Sequence, residues 1–199
     1  METVRIVIRI CSPSDASGIL AIYAPYIENT TYNFELEVPT VPAFQERIEK
    51  YLRQWPWLVC EINGMIAGYA YASLYRERLG YQWSCECSVY VHDDHMKKGV
   101  GRALYASLFD ILKKQGYRNV YAVINLPNDT SVSFHESMGF SWKFTFENVG
   151  FKLGQWKHVG WWMLQLNEYS AEPEPPVSFR ELDKEFLIPL LEGYSRKIR

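Results

Sequence analysis

Residues 89–112 read VYVHDDHMKKGVGRALYASLFDIL, an extended run that breaks into a basic, glycine-bearing loop and then into an amphipathic helix. Leu104, Leu108, Ile111 and Leu112 recur at helical spacing, so this helix packs one face on a core. Gly99 and Gly101 permit a tight turn and close approach of a ligand to the backbone. The first N–H groups of a helix lack internal partners, so the loop around Val100 is built to hold an anion such as pyrophosphate. Lys97, Lys98 and Arg102 ring that cradle with positive charge. Two common phosphate loops are excluded: Leu104 stands where a dinucleotide fingerprint needs a third Gly or Ala, and no Gly-Lys-Ser/Thr follows. On these residues alone, an ordinary turn with a basic rim remains the alternative.

The flanking pattern places this unit in a mixed α/β (α+β) sheet. Residues 4–10 alternate as a strand, and Ser12-Pro13-Ser14-Asp15 then caps a helix running to about residue 28. A polar loop over 29–39 carries Phe34, and Thr40 and Pro42 open a second helix that Trp55-Pro56 ends. Asn63-Gly64 joins strands 57–62 and 65–74 as a hairpin. Further strands are expected over 81–92, 120–124, 140–147 and 158–166, with a short helix over 130–138. The order βααβββαβαββ makes the strands joined by the central helix parallel and the hairpins antiparallel. Residues 1–168 form the domain, and 169–199 read as an extension behind a Glu-Pro-Glu-Pro-Pro linker with an amphipathic stretch over 182–191.

Composition narrows the function. A net charge of −2 gives no general attraction for nucleic acid, so the basic cluster at 97–102 reads as local ligand chemistry. No window approaches a membrane span and the first residues lack a signal-peptide core, so a cytoplasmic enzyme is expected. Cys11, Cys60, Cys85 and Cys87 have no metal-type spacing. His92-Asp93-Asp94-His95 offers ligand atoms, but consecutive loop residues seldom converge on one ion, and no metal site is expected. The 16% aromatic content suggests a pocket with aromatic walls.

The loop, its helix and NDTSVSFHESMGF together resemble the GNAT superfamily of acyl-coenzyme A N-acyltransferases. WPWLVCEINGMIAGYAYA, YQWSCECSVYV, AVINLPNDTSV and GFKLGQWKHVGWWMLQL are similar to its phosphinothricin N-acetyltransferase branch. The resemblance covers about 4–166 and implies a GNAT-like fold, acetyl-CoA as co-substrate, a homodimer, and a small amino acid or analogue as acceptor. Met96 departs from the usual Gln/Arg at the head of the cofactor loop.

By the same resemblance Glu86 matches the catalytic glutamate, and a mid-strand carboxylate among apolar neighbours has its pKa raised toward a useful range. His135 occupies the second proton-transfer position, with a pKa suited to either direction. Val89, Tyr90 and Val91 offer backbone N–H groups to the acyl and pantetheine portions. Asn128 matches the asparagine that opens the second cofactor helix. Arg76 and Arg78 align with the basic pair that grips an acceptor carboxylate, with Tyr75, Tyr81 and Phe34 around them. Each has a plainer reading: an outward strand glutamate, a buried helix histidine, a helix cap and a solvated loop. Acetylation of another amine (polyamine, aminoglycoside or peptide) or a non-catalytic acyl-CoA sensor are the functional alternatives.

Overall fold

A computed structural model describes residues 4–198. Seven strands, β1 (Ile6–Ile10), β2 (Trp57–Ile62), β3 (Met65–Leu74), β4 (Ser84–Val91), β5 (Asn119–Leu126), β6 (Ser141–Lys152) and β7 (Gln155–Gln165), form one sheet. Its order is β1-β2-β3-β4-β5-β7-β6. Every neighbouring pair is antiparallel except β4 with β5, which α3 (Val100–Gln115) joins as a parallel crossover. This is the mixed sheet that the sequence implies.

Helices cover both faces. On one, α1 (Ala16–Asn29) and α2 (Val41–Tyr51) bury Ile19, Ile27, Phe44 and Ile48 against Trp57, Val59 and Tyr69. On the other, Leu104, Leu108, Ile111 and Leu112 of α3 pack on Cys85, Cys87, Val120 and Ala122, so the helical spacing of the sequence is the core face. Local signals set the ends: Thr40 accepts from the Ala43 N–H at the start of α2, and Gly116, at φ 98°, closes α3. Asn63 and Gly64, at φ 52° and 82°, turn the β2–β3 hairpin.

Two regions differ from expectation. The β6–β7 hairpin is longer than 140–147 and 158–166, because the strands continue to Lys152 and from Gln155 around a turn at Leu153 and Gly154. Both turn residues have positive φ, 49° and 74°, and a leucine there disguises the turn. Residues 169–198, read as an extension, pack on the domain. Phe179, and Leu187 and Leu191 of α5 (Lys184–Ser195), join the α3-side core. Ser195 Oγ accepts the Ile8 N–H at 2.7 Å, satisfying a donor of the edge strand β1. No helix among the described residues is long and apolar enough to cross a membrane.

Candidate active site

The site begins where two parallel strands part. The β4–β5 ladder holds only three pairs, Ser84↔Asn119, Cys85↔Val120 and Glu86↔Tyr121. Beyond Glu86, β4 stays paired to β3 through Val91↔Gly68, while β5 stays paired to β7 through Leu126↔His158. The two strands therefore diverge as a fork with Glu86 at its crotch. One consequence is visible in β5: Val123, in mid-strand of a central sheet, is 37% exposed, while Ala122 and Ile124 on the other face are buried. Val89, Tyr90 and Val91 line the open edge of β4, with backbone polar groups that β5 does not reach. The side chains of Val89 and Val91 turn to the α3 side, and Tyr90 packs edge-on to Tyr23 at 4.9 Å between centroids.

The anion cradle lies at the mouth of this fork. Gly99 is left-handed at φ 85° and precedes the first helical residue, Val100. The first internal backbone bond of α3 is Ala103 N–H to Gly99 O at 3.0 Å. The N–H groups of Val100, Gly101 and Arg102 thus head the helix without a partner in it, and the dipole reinforces them. Gly101 is helical, and a Cβ there would make only ordinary contacts, at 3.5 Å, with Phe134 of α4 (Asp129–Ser137) and Val91 of β4. The close approach is at Gly68 of β3, unremarked in the sequence, where a Cβ would meet the Tyr90 carbonyl at 2.9 Å and the Val100 side chain at 3.1 Å. Lys97 and Lys98 are exposed, Lys97 at φ 60°. Arg102 is not free: its guanidinium donates to Ser137 Oγ at 3.0 Å, tying α3 to α4. Asn128 caps α4, accepting the Ser131 N–H at 3.1 Å. His92 accepts the Asp94 N–H and so forms a tight turn in His92–His95. No group of three metal-ligating side chains occurs among the described residues.

Glu86 and His135 lie on opposite faces of β4. Glu86 shares its face with Tyr90, and burial pushes its carboxyl up to about 7 against the opposing charge of Arg76. His135 is buried on the α3 side. Its Nδ1 lies 2.7 Å from the Ser131 carbonyl, which can only accept, and its Nε2 lies 3.0 Å from the Tyr105 hydroxyl. Burial lowers its pKa, so the ring is held neutral.

The connector after β3 makes an aromatic and cationic wall. Tyr75 stacks on Tyr121 at 4.6 Å and meets Trp161 edge-on at 5.8 Å. The exposed Arg76 guanidinium lies over Tyr75 at 5.2 Å and Tyr81 at 5.7 Å. Arg76, Glu77, Arg78 and Tyr81 line a cavity of about 350 Å³. Phe34 sits across on the α1–α2 loop, its ring so close over Gly150 that a Cβ there would meet it at 2.1 Å. That loop is tied down by Asn125, which donates to the Thr31 carbonyl at 2.8 Å, and by Arg47, which pairs with Glu35 at 2.7 Å. Tyr121, Trp161 and Asn125 escaped the sequence reading. Their signal was strand alternation: Tyr121, Val123 and Asn125 share the face of Glu86. The Trp161 indole N–H is buried with no hydrogen-bond partner among the described residues.

The acetyltransferase (GNAT) domain family matches residues 8–161. The chain belongs to the GNAT acetyltransferases. It is 38% identical over 168 residues to a phosphinothricin N-acetyltransferase of Streptomyces viridochromogenes, covering 84% of this chain and 91% of that one. It is 33% identical to an L-methionine sulfoximine/L-methionine sulfone acetyltransferase of Salmonella typhimurium, covering 82% and 96%. Among solved structures, a Salmonella typhimurium acetyltransferase with its cofactor acetyl-CoA superposes at a TM-score of 0.79, with 31% identity, covering 84% and 98%. A Sinorhizobium meliloti phosphinothricin acetyltransferase in complex with acetyl-CoA gives the same score at 26% identity, covering 88% and 99%. The GNAT enzyme thus has the fold that the resemblance implied, and acetyl-CoA-dependent N-acetyl transfer is its chemistry.

Proposed function

We propose that this enzyme transfers acetyl from acetyl-CoA directly to the amine of a small amino acid or analogue of the phosphinothricin, methionine sulfone or methionine sulfoximine type. The observation that carries the reading is Glu86, a carboxyl poised near 7 at the crotch of a strand fork and flanked by Arg76. An α-amine is largely protonated at neutral pH and must lose a proton to attack. Glu86 takes that proton, directly or through water, because its pKa lies near working pH.

Acetyl-CoA supplies the activated thioester. The residues fit its binding: the N–H groups of Val100, Gly101 and Arg102 behind Gly99 suit a pyrophosphate, with Lys97 and Lys98 beside them. The open edge of β4 at Val89, Tyr90 and Val91 suits the extended arm, and Asn128 opens the helix on its far side. Backbone donors along that edge favour negative charge growing on the thioester oxygen. His135 stands in the second proton-transfer role, and because its Nε2 accepts from the Tyr105 hydroxyl the neutral ring is set to take up a proton rather than give one.

Arg76 and Arg78 suit the acceptor carboxylate, and they disfavour polycationic amines. Tyr75, Tyr81 and Phe34 wall the acceptor, with Trp161 edge-on behind Tyr75. A homodimer is supported by exposed Trp142, Phe144, Phe146, Phe151 and Trp156 along the β6 edge and its hairpin. A cytoplasmic setting is supported by four free cysteines, all buried. The test is thiol release from acetyl-CoA across an amine panel. Release with methionine sulfone supports the assignment, and binding of acetyl-CoA with no release for any amine would make the chain a sensor instead.

A further inference from the structure

The GNAT match ends at residue 161, yet the segment after β7 is tied to the closed end of the fork. The Trp83 indole donates to the Glu174 carbonyl at 2.8 Å. The Trp83 carbonyl in turn accepts from the Arg118 and Asn119 N–H groups at 2.8 and 3.2 Å, which seats the first residue of β5 beside β4. Asn119 is also reached from the tail: Tyr169 donates to its Oδ1 at 2.8 Å, and its Nδ2 donates to Ser84 Oγ at 3.4 Å. Both ends of the strap are fastened. Leu166 N–H bonds Arg118 O at 2.7 Å, and Val177 exchanges bonds with Gln115, each at 2.8 Å.

The backbone of the connector that this strap touches has little else to hold it, its side chains resting on Tyr75, which meets Tyr81 edge-on at 5.8 Å. Over 76–82 its backbone bonds stay within the Leu79–Tyr81 turn: Tyr81 N–H to Arg78 O and Gln82 N–H to Leu79 O. Tyr81 stands between two cavities, the acceptor-side one with Arg76 and Arg78 and a second of about 210 Å³ that Trp83, Tyr169 and Pro173 also line. A pull on Trp83 therefore reaches Tyr81 and the Arg76 guanidinium above it within a few residues.

We propose that residues 169–177 are a positioning strap for the acceptor site, holding Trp83 and Asn119 so that Tyr81, Arg76 and Glu86 keep their places while the cofactor cradle is untouched. The proposal rests on the acetyltransferase reading. Trp83 and Tyr169 are its positioning residues.

Tyr169→Phe deletes one donor and keeps its ring, and Trp83→Phe deletes the indole donor and leaves a smaller aromatic ring. The expected result is an amine KM raised about fivefold, the loss of one hydrogen bond, with the acetyl-CoA KM unchanged. Trypsin cleavage after Arg78 should speed by a similar factor. Tyr194→Phe is the control, since it breaks the bond to Asp110 at 2.7 Å between α5 and α3 and leaves the strap intact. The proposal is overturned if the amine KM does not move, if both KM values rise together, or if Tyr194→Phe has the same effect. Should the parent enzyme release no thiol with any amine, the acetyltransferase reading fails, and an unchanged trypsin rate in Trp83→Phe would separately refute the strap.

Discussion

The Tyr105 hydroxyl donates to His135 Nε2 across 3.0 Å. The direction follows from the far side of the ring, where Nδ1 must carry the proton to bond the Ser131 carbonyl at 2.7 Å. The Cys87 thiol donates to the Tyr105 oxygen at 3.4 Å, so the chain of bonds runs from β4 through α3 to α4 inside the core.

Tyr105→Phe leaves His135 Nε2 without a donor in a buried site. Stability should fall by about 1–3 kcal/mol, read from the urea midpoint. In the same variant the acidic limb of kcat/KM should stay near pH 7, because Glu86 sets it.

Glu86→Gln should lower kcat by roughly 10²–10⁴ and remove the acidic limb of kcat/KM. The linkage has a definite sign. A carboxyl raised from 4.5 to about 7 on folding binds its proton more tightly in the native state. Its stabilising contribution is complete below pH 4.5 and is lost as pH rises through 7. The variant should therefore melt higher than the parent at pH 8 and match it near pH 4.

Gly99→Ala places a Cβ at φ 85° in open space, so the backbone is strained and nothing is struck. The left-handed conformation costs about 1–2 kcal/mol. Acetyl-CoA affinity, measured by calorimetry, should weaken while the amine KM holds.

Ser195→Ala removes the acceptor of the Ile8 N–H and a donor to Leu191 O. The loss should be about 1–3 kcal/mol of unfolding free energy. Thiol release at 25 °C should persist, since α5 lies behind the cofactor-side core.

The sequence was most legible where chemistry is local. Asn63-Gly64 can hardly do anything but turn, and the apolar spacing of α3 announced its buried face. Leu153 hid the β6–β7 turn because its positive φ is imposed by strand pairing on either side. Glu86, Arg76 and Tyr81 were found through motif likeness, whereas Tyr121 and Trp161 come to the wall only because β4, β5 and β7 lie side by side. The strap was illegible for the same reason: Trp83 and Glu174 are 91 residues apart, and no spacing rule joins them.

Because the parting of β4 from β5 is written in main-chain register, its opening does not depend on which side chains face it. On the proposed assignment of the site, acceptor choice can drift through substitutions in the connector and the α1–α2 loop while the grip on coenzyme stays constant, so one scaffold can be retuned from one small amine to another without relearning how to hold its acyl donor.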